Sequence, residues 1–250
     1  MRTATHMLDP VLFAREALRF QAEPAQARVL DLGIQRGILN CRRQWGKSTV
    51  TAIKAVHRAW FDPGSLVLVV SPSARQSGEF VRKCAGMMRT LGAPVRGDGV
   101  NRMSLLLPSG SRIVGLPANE GTTRGFTAPA MLMFDEASRV PDELYLAMRP
   151  ALISGNGDLW MMSTPRGKRG FFYETWAFGG PRWTRILATA EGCPRIRPEV
   201  LAEERTAMGE MWFRQEYLCE FVQADDAVFR EEDVDACLRD DVPVLRVDGL

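Results

Sequence analysis

The sequence predicts an α/β domain on a mainly parallel central sheet flanked by helices, with a small helical subdomain appended on its C-terminal side. Three observations carry that expectation. Short apolar runs without polar interruption, such as Leu66-Val67-Leu68-Val69-Val70, read as strands buried on both faces. Segments with helical apolar spacing alternate with them, as strand-helix-strand units require. After Pro198 the strand signals stop and only helical ones remain.

In chain order, residues 11–32 read as helical with an interruption near Pro24, and 37–41 form a short strand that enters a loop and then a helix over 47–60. Residues 65–70 are a buried strand, followed by Ser71-Pro72-Ser73 and a helix over 74–91. Residues 103–107 and 112–116 flank Pro108-Ser109-Gly110-Ser111 and read as a hairpin. Residues 130–134, 158–162 and 183–188 supply the remaining strands, and 199–208 and 210–221 are helices suited to a small lid. The expected division is a core over 1–190, a helical lid subdomain over 191–224 and an acidic linker over 225–250.

Hydrophobic residues make up 46% and charged residues 25%, which excludes a disordered chain and fits an ordinary globular one. No apolar run reaches the roughly 18 residues of a membrane span, and Met1–Pro10 lacks a secretory apolar stretch, so a cytoplasmic protein without membrane contact is expected. Cys41, Cys84, Cys193, Cys219 and Cys237 have no paired spacing, and reduced, mostly buried thiols are expected rather than zinc or disulfides. His6 and His57 are too few for a histidine metal centre or relay. The net charge of +2 hides a division. Residues 1–190 hold 25 Lys and Arg against 14 Asp and Glu, whereas 191–250 hold 7 against 16. A basic body attracts a polyanion such as DNA, and an acidic tail reads as linker or partner-facing segment.

Cys41-Arg42-Arg43-Gln44-Trp45-Gly46-Lys47-Ser48 matches the phosphate-binding loop at its last three positions, with Cys41 where the pattern has its first glycine. Backbone N–H groups of such a loop surround phosphate oxygens, and the helix starting near Lys47 adds its positive dipole end. Lys47 would reach the terminal phosphates and Ser48 would ligate Mg²⁺. Arg42, Arg43, Gln44, Trp45, Gly46 and Thr49 are further nucleotide-binding candidates. A chance Gly-Lys-Ser is common, and the missing first glycine favours that plainer reading; the position between strand and helix disfavours it. Met131-Leu132-Met133-Phe134-Asp135-Glu136 is an apolar strand ending abruptly in two carboxylates, which needs a reason. Asp135 would hold Mg²⁺, and Glu136 would orient and deprotonate the water that attacks the γ-phosphate of ATP. The alternative is an acidic helix start before Pro141.

This ordered set resembles the large terminase ATPases, the DNA-packaging motors of tailed bacteriophages. The atypical loop with Arg42 and Arg43 inside it is similar to that family's loop, where the first glycine is often missing. Pro24-Ala25-Gln26 looks like the family's adenine-contacting segment, with Gln26 reading the base edge, against the alternative of a surface Gln in a helix. Asp135-Glu136-Ala137-Ser138 resembles the acidic motif, and Ser163-Thr164-Pro165 the coupling motif, although Thr-Pro also suits a turn. Arg124 matches the arginine that reaches a neighbouring subunit's nucleotide, with Arg42 and Arg43 as rivals for that catalytic role. Residues 213–221 resemble the end of the family's ATPase region. Arg166, Lys168 and Arg169 precede Phe171, Phe172, Tyr173 and Trp176; a DNA-touching loop is conceivable there, but helical i,i+4 spacing favours core packing for Phe172 and Trp176.

The resemblance implies a P-loop NTPase fold of the ASCE type and an Mg²⁺-dependent ATP hydrolase. It further implies double-stranded viral DNA, a portal protein or procapsid and the small terminase subunit as partners, and a homo-oligomeric ring in action, with a monomer possible in isolation. The host cytoplasm is the implied location. Complete large terminases continue into a nuclease; Asp225, Asp226, Asp240, Asp241 and Asp248 are read as linker, and the chain as a piece without the DNA-cutting half. A helicase-like translocase is the runner-up, and a non-hydrolysing nucleotide-gated scaffold is a weaker alternative because a switch does not need Glu136.

Overall fold

The structure, a computed structural model, describes residues 3–101, 103–118, 125–153, 155–191, 193, 196–222 and 237. Its centre is a seven-stranded sheet whose strands are β1 (Arg36–Cys41), β2 (Leu66–Ser71), β3 (Ser104–Leu106), β4 (Arg112–Pro117), β5 (Met131–Asp135), β6 (Asp158–Ser163) and β7 (Thr184–Ala188). Their order across the sheet is β3-β4-β2-β5-β6-β1-β7, all parallel except β3, which runs antiparallel to β4 as the hairpin signature predicts.

The apolar runs are continuous because both faces of the sheet are covered. On one face, Leu39, Val67, Val69, Met131, Met133, Trp160 and Met162 meet Phe13 of α2 (Pro10–Ala17), Val29 and Leu30 of α3 (Pro24–Leu30), Val50, Ile53 and Val56 of α4 (Lys47–Phe61), and Phe80, Cys84 and Met88 of α5 (Ala74–Thr90). On the other, Ile38, Leu68, Val70, Leu132, Phe134 and Met161 meet Leu144, Tyr145 and Met148 of α6 (Asp142–Ile153) and Phe171 and Phe172 of α7 (Gly170–Phe178). The alternation of neighbours between the two clusters is the period-two pleat of each strand.

Helix starts follow local chemistry. The Asp9 carboxylate accepts from the amides of Val11 and Leu12 at 3.0 and 2.9 Å, with Pro10 in the first turn of α2, and the Ser73 hydroxyl accepts from Gln76 N at 3.3 Å to cap α5. A short α1 (Ala4–Leu8) precedes α2. Two differences from the expectation stand out. The 210–221 helix is shorter, α9 (Glu210–Glu216), because the chain turns away and Cys219 adopts a positive φ of 60°. The segment after the acidic strand is a 3-10 turn (Ala137–Arg139) followed by the full helix α6, which the elements expected from the sequence do not include. Helix α8 (Pro198–Met208) precedes α9. Phe172 is buried and Trp176 packs on the same cluster, as their i,i+4 spacing implies. Cys41, Cys84 and Cys219 are free and buried, and among the described residues no helix is long and apolar enough to cross a membrane.

Candidate active site

Three adjacent strands, β5, β6 and β1, end side by side. Asp135 closes β5, Ser163 closes β6, and Cys41 closes β1 and opens the Arg42–Gly46 loop into α4. Sites of this kind lie beyond the carboxyl ends of parallel strands, where loops and helix N-termini converge.

The loop reverses sharply, with Gln44 at φ 57° and Gly46 at φ 99°. Gly46 is the N-cap of α4, and only a residue without Cβ adopts that left-handed φ without strain. No side chain caps this helix, so its first-turn amides lack the capping hydrogen bond that Asp9 and Ser73 supply elsewhere. Trp45 is buried and anchors the loop; Ser48 and Thr49 are half-buried at the helix start, and Gln44 is exposed.

Lys47 leaves the first turn of α4 and pairs with Glu136 at 2.7 Å. Burial works against the Lys47 ammonium, but neighbouring Cys41, Glu136 bonded to it and Asp135 behind together outweigh that cost and hold its pKa above the ordinary value. Glu136 sits at φ 52°, a left-handed conformation that costs a non-glycine residue on the order of 1 kcal/mol. That turn points its carboxylate back at the loop. Asp135 is 5% exposed, and its Oδ1 is buried with no hydrogen-bond partner. Burial first, and the Glu136 charge second, push its pKa up to about 6. A buried, unsatisfied carboxylate oxygen is a donor that a divalent cation would satisfy, so Asp135 fits Mg²⁺, with Ser48 in the first turn of α4 as the second candidate ligand. Burial also pushes the Cys41 thiol up to about 12, which leaves it a neutral core residue where the loop pattern has glycine.

The Ser163 hydroxyl accepts from Ser138 N at 3.2 Å and shares a 2.8 Å hydrogen bond with Ser138 Oγ, while Ser138 Oγ also reaches the Thr164 carbonyl at 2.9 Å. Thr164 Oγ1 donates to the Cys41 carbonyl at 3.0 Å. The β6 end is thus bonded to the turn after the acidic pair on one side and to the start of the Arg42–Gly46 loop on the other.

Gln26 is 4% exposed; its Oε1 accepts from Glu23 N at 3.1 Å and its Nε2 donates to the Trp45 carbonyl at 3.1 Å. It lies against the loop, with both ends of its amide engaged inside the protein. Arg42 is buried and donates to the Arg43 carbonyl at 3.0 Å and to Cys193 Sγ at 3.1 Å, and Arg43 pairs with Glu216 of α9 at 2.7 Å. Both arginines are tied to the C-terminal segment. Arg124 and the acidic positions Asp225, Asp226, Asp240, Asp241 and Asp248 lie outside the described residues. Sequence reasoning missed Ser138 and Glu216 as parts of this network. Ser138 stood in the quoted acidic motif, whereas nothing local marks Glu216 as the partner of Arg43.

The family model described as terminase large subunit, T4likevirus-type, N-terminal, matches residues 39–235, which include the loop, the acidic strand and the β6 end. The chain belongs to this family. It is 26% identical over 175 residues to the terminase large subunit of Escherichia phage T5, covering 67% of this chain and 40% of that one. The chain therefore spans less than half the length of that relative. Among solved structures, the large terminase ATPase domain of Thermus phage P74-26 superposes with a TM-score of 0.76 at 24% identity, covering 86% of this chain and all of that one. The large terminase of another thermophilic bacteriophage, in complex with ATP-gamma-S, gives 0.61 at 13% identity, over 88% and 53%. These likenesses show the fold, a terminase-type P-loop α/β domain with a mainly parallel sheet.

Proposed function

We propose that this terminase region hydrolyses ATP to drive double-stranded DNA into a procapsid. The observation that carries the reading is the Lys47–Glu136 ion pair across the strand ends, beside the unsatisfied Asp135 oxygen. Within that pair each group neutralises the other. Triphosphate entering the loop competes for Lys47, and Glu136 is then free to accept a proton from the attacking water. Mg²⁺, when bound, would supply the positive charge that offsets charge developing on the phosphate oxygens. Ser48 and Asp135 would hold that ion, and Gly46, Thr49 and the other loop amides would orient the phosphates. Gln26 contacts adenine in this scheme only by exchanging one of its two present bonds.

Ser163 and Thr164 would couple hydrolysis to movement, because their hydrogen bonds join the loop to the turn that carries Glu136. The helices α8 and α9 would act as a lid, reporting on the loop through Arg43 and Glu216. Arg124, or in its place Arg42 or Arg43, would stabilise transition-state charge, Arg124 from a neighbouring subunit of a ring. Viral DNA, portal or procapsid and small terminase subunit in the host cytoplasm are the partners this implies. The ATP-gamma-S complex of the thermophilic phage terminase supports a nucleotide in this kind of site.

The test is Glu136→Gln. Nucleotide binding should survive while steady-state phosphate release falls by about 10²–10⁴-fold, the usual worth of a general base. Lys47→Ala should instead weaken binding itself. Wild-type turnover in Glu136→Gln would overturn the assignment.

A further inference from the structure

The opposite end of the sheet from the nucleotide loop carries a cavity of about 370 Å³, lined by Arg36, Arg149, Gly179, Pro181, Arg182 and Trp183. Arg36 opens β1 and Cys41 closes it, so at about 3.3 Å per residue the cavity lies roughly 16 Å from the start of the loop. Three arginines line it and no carboxylate does: among the described residues, none of Arg36, Arg149 and Arg182 is in an ion pair. Asp158, whose field reaches Arg36, is already paired with Arg58.

Nor are these arginines consumed by the helix end beside them. A fourth arginine outside the lining, Arg185, donates to the carbonyls of Trp176, Gly180, Trp183 and Thr175 at 2.6, 3.2, 3.4 and 3.4 Å. It thereby satisfies the C-terminal end of α7. The walls are shaped as well as charged. A Cβ on Gly179 would meet the Trp183 indole at 2.9 Å, so the bare glycine lets that ring close against α7, and Arg149 is held over the Tyr145 ring at 5.3 Å.

We propose that this cavity is a phosphate subsite for the DNA backbone, distinct from the nucleotide site and at the opposite end of the sheet. Unpaired guanidinium groups in one concavity repel each other, and a phosphodiester relieves that repulsion through forked hydrogen bonds while Trp183 offers a flat face to the adjoining sugar or base. The net positive charge of residues 1–190 favours DNA over a cationic or neutral partner. The inference rests on the reading of the chain as a DNA-translocating motor.

The experiment measures duplex-DNA affinity by fluorescence anisotropy across a salt series for wild type and for Arg149→Gln/Arg182→Gln, both exposed positions. A charge-matched comparator, Arg15→Gln/Arg82→Gln, removes two arginines that are paired with Glu16 and Glu79 on α2 and α5. Removing one phosphate-neutralising arginine should lower the slope of log K against log salt by about 0.9, so the cavity variant should lose about 1–2 in slope and the comparator much less. Should the double variant melt early, Arg182→Gln alone carries the test, with a loss of about 0.9. Equal losses in cavity variant and comparator, or no loss in the cavity variant while wild type binds duplex, overturn the subsite and leave the motor reading intact. No duplex binding by wild type even at low salt removes both. If the cavity variant loses affinity for poly-glutamate while duplex binding is unchanged, the cavity serves an acidic partner and the proposal fails.

Discussion

Asp135→Asn, compared with wild type between pH 5 and pH 8 in nucleotide-free, chelated buffer, isolates the electrostatic state of the candidate metal ligand. The native Asp135 carboxyl has its pKa pushed from 3.8 to about 6, chiefly by burial. The folded state therefore holds that proton more tightly than the unfolded chain. Its contribution to stability is complete below about pH 3.8 and is lost as the pH rises through about 6. Integrated from pH 5 to pH 8, the loss is about 1.4 kcal/mol. His57 acts in the opposite sense, since burial lowers its pKa from 6.5 to about 4. Its contribution is present above 6.5 and is lost as the pH falls toward 4, about 2 kcal/mol over the same interval. The wild-type profile alone thus mixes opposed slopes, including those of Asp158, raised by burial, and Lys54, lowered by burial to about 8, and the difference between the two proteins removes the parts that do not come from Asp135. The asparagine amide adds an offset that does not vary with pH. Urea denaturation at each pH should show Asp135→Asn gaining about 1.4 kcal/mol relative to wild type on going from pH 5 to pH 8. Parallel profiles would refute the claim that Asp135 carries a buried, uncompensated charge at neutral pH.

Two further outcomes follow from the same geometry. Ser163→Ala removes both hydrogen bonds to Ser138; it should cost about 1–3 kcal/mol in denaturant unfolding and slow phosphate release with nucleotide affinity retained, whereas unchanged turnover would detach the β6 end from coupling. If Arg124 acts in trans, mixing Arg124→Ala with Glu136→Gln subunits, each nearly inactive, should restore partial turnover, because some interfaces pair both intact groups. Absence of rescue in demonstrably mixed rings would favour Arg42 or Arg43 acting within its own subunit.

The strands and the motif positions were legible from sequence because each is a local pattern. A parallel strand covered on both faces must be apolar at every position, and Leu66–Val70 and Met131–Phe134 are; Gly46-Lys47-Ser48 and Asp135-Glu136 then stand out as polar breaks at strand ends. Helix α6 was hidden although Leu144, Tyr145, Met148 and Leu152 share its buried face, because Pro141 and Pro150 punctuate the segment and a helix that tolerates an internal proline owes its stability to packing rather than propensity. The site's cross-links were beyond sequence reasoning for a different reason. Strand order places β6 between β5 and β1, and only that adjacency lets Ser163 meet Ser138 and Thr164 meet Cys41, residues 25 and 123 positions apart. Likewise Arg43 finds Glu216, and Arg36, Arg149 and Arg182 find one another, through tertiary packing alone. The sequence determined which groups are present at each strand end; the tertiary structure decided which of them touch, because side-chain pairing depends on distances of a few ångströms that chain separation does not encode.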